Sequence, residues 1–124
     1  MDIALWIVQG ILAFAFMGAG ANKLAQDYEK LKTALGDWVS DFSPSQIKAI
    51  GGVEVLGAIG VILPAVTGIL PWLSPLAALG LALTMVGAAW THLRRGEYPM
   101  IAVNVVLLAL ALFVAYGRFV AEPL

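Results

Sequence analysis

The chain contains no cysteine. That absence excludes disulfides, thiol redox chemistry, thiolate metal sites and cysteine-ligated iron–sulfur clusters within this chain. A single histidine excludes bis-histidine haem ligation and leaves too thin a ligand set for a dedicated zinc site, so no metal is expected. Charge is scarce. Only 12% of residues are charged, against about 25% in soluble domains, and a net charge of −1 points to neither nucleic acid nor an acidic partner. No phosphate-loop or dinucleotide fingerprint occurs, nor any local signature of a serine–histidine–acid nucleophile. A basic stretch ahead of the first apolar run is missing too. Asp2 stands where a signal peptide would carry Lys or Arg, so that run reads as an uncleaved helix although it ends in Gly18-Ala-Gly-Ala21.

What is present is apolar. Hydrophobic residues make up 61% of the chain, against about 45–50% in soluble domains. A single domain of 124 residues cannot hide that excess in a soluble core, so the bilayer must be its solvent. A span takes about 20 residues. Four fit, over residues 3–23, 44–63, 75–94 and 99–119, predicting an all-α, integral membrane bundle of four transmembrane helices as one domain, 1–124. Ser43-Pro44-Ser45-Gln46 has the form of a capping box and predicts a helix start at Pro44; Ser74-Pro75 predicts the next. Pro64 ends or kinks the second helix, and Val66 to Pro71 reads as a tight hairpin. The many glycines read as packing material. Between the first two spans, residues 24–42 place Leu24, Tyr28, Leu31, Leu35, Trp38, Val39 and Phe42 at helical spacing. This predicts a short amphipathic segment on the membrane surface, broken near Gly36; a solvated loop is the alternative. Trp6, Trp38, Trp72, Trp90 and Tyr98 read mostly as interfacial belt residues.

Six of the seven Lys and Arg residues fall in the two loops after the first and third spans, and only Arg118 lies on the other side. The positive-inside rule then expects those loops in the cytoplasm and both termini outside it.

The chain also carries a carboxylate where none is cheap. Glu54 interrupts the uncharged run Ile50-Gly-Gly-Val-Glu-Val-Leu-Gly. Mid-membrane charge costs about 2.5–3.5 kcal/mol on insertion scales, so Glu54 needs a partner, a proton or a wet pocket. Each span offers one strongly polar residue near the same side: Lys23, Glu54, His92 and Asn104. Glu54 and Asn104 lie about 6–8 Å below the interface at 1.5 Å per residue. Helical side chains tilt toward their own N-terminus, so Glu54 and Asn104 lean up toward that side while Lys23 and His92 lean down from it. The four converge on one polar layer, with either Lys23 or His92 as the partner of Glu54. Plainer roles stand beside this reading: Lys23 snorkelling, His92 with Arg94 and Arg95 capping a helix end, Asn104 joining helices, Glu54 in a purely structural ion pair.

Gly20-Ala-Asn-Lys-Leu24, Ile50-Gly-Gly-Val-Glu-Val-Leu-Gly-Ala-Ile-Gly60, Gly87-Ala-Ala-Trp-Thr-His-Leu-Arg-Arg-Gly-Glu97, and a last helix with Asn104 ending in Tyr116-Gly-Arg-Phe119, together resemble the DoxX-like family of small bacterial four-helix membrane proteins. The resemblance spans nearly the whole chain, and Thr91 to Glu97 is its most distinctive piece. It implies an inner-membrane location and marks Lys23, Glu54, His92 and Asn104 as the positions to watch. The wider superfamily is similar to a membrane subunit of thiosulfate:quinone oxidoreductase, to maturation factors of methylamine dehydrogenase and to eukaryotic trafficking or chaperone-type membrane proteins. That spread carries the fold and not one activity.

Three readings follow. In the first, the polar layer binds a small, partly apolar molecule, with a quinone as the candidate. Glu54 and His92 handle a proton or hydrogen-bond the head group, Lys23 and Asn104 orient it, and Phe16, Met85 and Trp90 offer apolar walls. With no redox centre encoded, electrons would come from a partner protein. In the second, the chain is a non-enzymatic scaffold or assembly factor. The third, a small-solute or proton pathway along Glu54, lacks a second buried acid or an inverted repeat. Stripes of small residues leave room for a homo-oligomer.

Overall fold

The computed structural model describes all residues 1–124. Its helices are α1 (Asp2–Ala25), the short α2 (Tyr28–Leu35), α3 (Pro44–Thr67), α4 (Leu73–Arg94) and α5 (Tyr98–Tyr116). A 3-10 turn covers Asp37–Asp41, and a wide π turn, Gly117–Ala121, extends α5. There is no strand. Four of these helices, α1, α3, α4 and α5 with its extension, are long and apolar enough to cross a membrane. The chain is a multi-pass membrane protein.

Its surface says the same. Only 28 of 124 residues are buried, and the outward faces carry Phe14, Ile3, Leu56 and Leu83 fully or largely exposed. A soluble protein does not show so continuous an apolar exterior; lipid tails cover it without penalty. The inner faces supply a core from all four spanning helices, including Leu12, Phe16, Val61, Leu81, Met85 and Val114.

Around the bundle the order is α1, α3, α4, α5. The pairs α1–α3 and α4–α5 make the broadest contacts, α3–α4 follows, and α5 closes on α1 along a narrower seam. Glycine sets the tightest approaches. A Cβ on Gly20 would stand 2.6 Å from the Gly51 carbonyl oxygen, and one on Gly51 would stand 2.8 Å from Cβ of Lys23. No side chain fits there, so α1 and α3 meet backbone to backbone. Not every glycine serves this purpose: Gly10, Gly18, Gly52, Gly80 and Gly87 face open space.

The helix ends follow mostly local rules. Ser43 Oγ accepts from the Gln46 amide while Gln46 Oε1 accepts from the Ser43 amide, the reciprocal capping box that starts α3. Pro64 does not end that helix. Proline forfeits one backbone bond, whereas unwinding the last turn in lipid would strand several. The helix runs on to Thr67 and stops at Gly68, which takes the left-handed conformation at φ 71°. Ser74 differs from expectation. The Leu73 and Ser74 amides already donate to the carbonyls of Leu70 and Pro71, so α4 begins at Leu73 and Ser74 sits inside its first turn, Oγ buried without a partner.

The segment between α1 and α3 is helical, as expected, and its apolar side packs against the start of α3. Gly36, at φ 120°, separates α2 from the 3-10 turn and folds one back on the other. Leu31 and Val39 bury themselves against Ile47 at the start of α3, with Tyr28, Leu35, Trp38 and Phe42 packed around them. The Tyr28 hydroxyl donates to the Phe42 carbonyl at 2.5 Å. Lys48 Nζ donates to the Leu24 carbonyl at 2.8 Å, satisfying an orphan acceptor at the end of α1. The folded strap covers the Lys23 end of the bundle.

The α1–α3 contact gives a clean test. Gly51→Val is expected to lose about 1–3 kcal/mol of stability through overpacking, while Gly10→Val, in open space, changes it by less than about 1 kcal/mol. Thermal unfolding of both variants in the same detergent measures the difference.

Candidate functional site

The backbone contact at Gly20 and Gly51 positions the first pair of polar groups. Gly51 lies one turn before Glu54, so the Lys23 stem crosses it without hindrance and turns into the bundle. Lys23 Nζ stands 2.8 Å from Glu54 Oε1, with the two side chains 10% and 4% exposed. Of the two partners open to Glu54, the fold selects Lys23. Lys23 does not snorkel outward.

His92 is engaged elsewhere. Its Nδ1 lies 2.8 Å from Oε1 of Glu97, the residue just before α5, and its ring meets Trp38 edge-to-face with centroids 5.7 Å apart. Gly96, at φ 70°, makes the turn that brings Glu97 back beneath α4. Arg95 reaches Glu97 Oε2 at 3.4 Å and Asp41 Oδ1 at 2.9 Å, and Arg94 approaches Asp41 at 3.9 Å. This chain of charges ties the strap to the α4–α5 turn. The hydrogen bond from His92, with help from Arg95, holds the Glu97 carboxyl below the ordinary carboxylate value of 4.5.

Between these groups lies a cavity of about 590 Å³, within the range of about 300–1,000 Å³ typical of small-molecule sites. Lys23, Glu54, His92 and Asn104 all line it, one from each spanning helix, as do Phe16 and Met85. Trp90 does not join them. It lies two residues, or about 200° of helix, from His92, and is 60% exposed on the outer face. Asn104 is buried, yet its Nδ2 has no hydrogen-bond partner. It is therefore not spent on joining helices through that group. No three His, Cys, Asp or Glu side chains converge to hold a metal ion.

Leu35, Trp38 and Phe42 of the strap also line the cavity. Their helical spacing was visible in the sequence, but it fitted a lipid-facing stripe equally well; nothing local specified that they would turn onto a pocket. Trp38 accordingly leaves the interfacial belt. Glu97 was visible only as the end of the distinctive Thr91–Glu97 run.

A second polar cluster lies at the opposite end. Arg118 is 3% exposed. Its Nε donates to Gln9 Oε1 at 2.8 Å, and its Nη1 donates to Asp2 Oδ1 at 2.7 Å and to the Glu122 carbonyl at 3.0 Å. The guanidinium stacks over Trp6 at 5.2 Å. Gln9 Nε2 in turn donates to the Val61 carbonyl, just before Pro64. Counting Arg118 as a loop charge missed this cluster, because the π turn that swings it inward leaves no signature in the sequence.

Two outcomes test the site. Lys23→Met leaves a buried carboxylate unpaired and is expected to destabilise by about 3–5 kcal/mol, whereas Lys23→Met with Glu54→Leu recovers most of the loss; denaturation of the variants in detergent decides. Glu97, with its carboxyl held low, stabilises the fold above the ordinary carboxylate range, and that contribution disappears as pH falls below 4.5. The melting temperature should therefore drop less steeply with acid in Glu97→Gln than in the parent. Equal slopes would show that the His92–Glu97 contact does not contribute.

Comparison with known proteins adds one result. No curated protein and no solved structure matches the chain. A model of the DoxX-like family matches residues 7–114, which reach into all four spanning helices, leaving out the first turn of α1 and the end of α5, and include every polar residue lining the cavity. The chain belongs to the DoxX-like family.

Proposed function

We propose that this protein binds a small, partly apolar molecule in the cavity beneath the strap, with a quinone as the leading candidate. The observation that carries the reading is the cavity itself, which Lys23, Glu54, His92 and Asn104 line from four different helices, with Asn104 Nδ2 a buried donor that has no partner. A buried unpaired donor costs about 1–3 kcal/mol. A ligand oxygen accepting from it would recover that loss. The same oxygen would feel the Lys23 ammonium, while Phe16, Met85 and Leu107 offer apolar contact to a ring.

In this reading the protein sits in the bacterial inner membrane with the strap on the cytoplasmic side and both termini outside. It acts as the membrane component of a redox system, with electrons supplied by a partner protein. The six-to-one asymmetry of Lys and Arg supports the orientation. The alternative is a scaffold or assembly factor, which the internally satisfied Lys23–Glu54 pair favours.

Mass spectrometry and ultraviolet absorption of material co-purifying in mild detergent separate the two. A quinone retained by the parent, and reduced about tenfold or more in Asn104→Leu while the melting temperature holds or rises, is the expected result. Absence of any ligand, together with a melting temperature unaffected by added quinone, favours the scaffold.

A further inference from the structure

Residues of the strap and of all four spanning helices line the cavity. Leu35, Trp38 and Phe42 lie across its end, and the Asp41–Arg95 ion pair at 2.9 Å fastens the strap there. The flank between α3 and α4 is different. These antiparallel helices touch where a Cβ on Gly57 would meet Leu81 at 2.5 Å and one on Gly60 would meet Ala77 at 2.8 Å. Continuing that register toward the Lys23 end sets Val53 opposite Thr84 and Met85, and Ala49 opposite Ala88. All five line the cavity, as does Gly87. Val53 is nevertheless 50% exposed, and no atom lies within 4 Å of where a Cβ on Gly87 would stand. Lining residues that are also exposed mark an opening, and on a spanning helix that opening faces acyl chains.

We infer that the α3–α4 flank is a lateral portal, and that the ligand is a membrane-dissolved amphiphile whose oxygen-bearing head reaches Asn104 while its alkyl or isoprenoid tail leaves between Val53 and Gly87 into the lipid. This rests on the ligand-binding reading of the same cavity. The unpartnered Asn104 Nδ2 asks for an acceptor, and the chemistry of the gap suits an apolar chain: Ala49, Val53 and Gly87 present only hydrocarbon, and the Thr84 hydroxyl is turned back onto the Gly80 carbonyl at 3.1 Å. Entry from the bilayer also needs no displacement of the strap. The opposite flank, where Ala15 and Ala19 of α1 approach Met100 and Leu107 of α5, is the competing route; three of its four residues are half-buried.

The test uses the full chain in liposomes with two probes: a benzoquinone carrying a ten-carbon tail with a terminal diazirine, and the same ring without a tail as competitor. Saturable photolabelling, displaced by the tailless ring and mapped by mass spectrometry to Val53, Thr84 or neighbouring positions on α3 and α4, is expected. Gly87→Phe fills open space and so should fold; it should lower labelling by the tailed probe about tenfold while the tailless ring still raises the melting temperature. Leu83→Phe, on the exposed face of α4 away from the cavity, should leave labelling unchanged. Labels on Ala15, Ala19 or Met100, or labelling that persists unchanged in Gly87→Phe, overturn the portal but keep the binding site. Labelling that does not saturate, with no thermal shift from the tailless ring, removes both.

Discussion

One contact organises this bundle: the meeting of the α1 and α3 backbones at Gly20 and Gly51. It lets the ammonium of Lys23 reach Glu54 within the apolar layer. Separately, either charge is costly in lipid; together they are tolerable because attraction strengthens where water is absent. Once that pair forms, α1 and α3 are locked in rotation and depth. Glu54 then borders the interior, and the space left among the four helices becomes a polar-floored pocket rather than more core.

The strap follows from the same logic. A pocket with charges in it, sited near the interface, would fill with water if left uncovered. The short α2 and its 3-10 turn bury Leu31 and Val39 on Ile47 and lay Trp38 over His92. Asp41, Arg95, Glu97 and His92 then form a continuous hydrogen-bonded and ionic chain around the rim. Lid and floor thus use different chemistry: an exposed charge network above, one buried pair below.

Much of this was readable in the sequence, for physical reasons. The four spans follow from hydropathy, because every backbone group in lipid must be satisfied within its own helix. The meeting of Lys23, Glu54, His92 and Asn104 near one end follows from depth and from the tilt of helical side chains. What escaped was whatever depends on rotation about a helix axis or on the path of a turn. Trp90 points away from His92 because two residues are more than half a turn. Ser74 loses its capping role because the preceding backbone turn already supplies the acceptors. Trp38 and Arg118 face inward because Gly36 and the π turn redirect the chain, and neither device has a periodicity to detect.

The Arg118–Gln9–Asp2 cluster has a consequence for biosynthesis. Its members are separated by 109 and 116 residues, so they meet only when the last helix is in place. Until then α1 carries a glutamine that has no guanidinium to face, while Lys23 and Glu54 are already complete once α3 has entered. The chain therefore holds an internal record of its own completion. A chain stopped after three spanning helices leaves Gln9 Oε1 and the Asp2 carboxylate without the guanidinium that closes the ring.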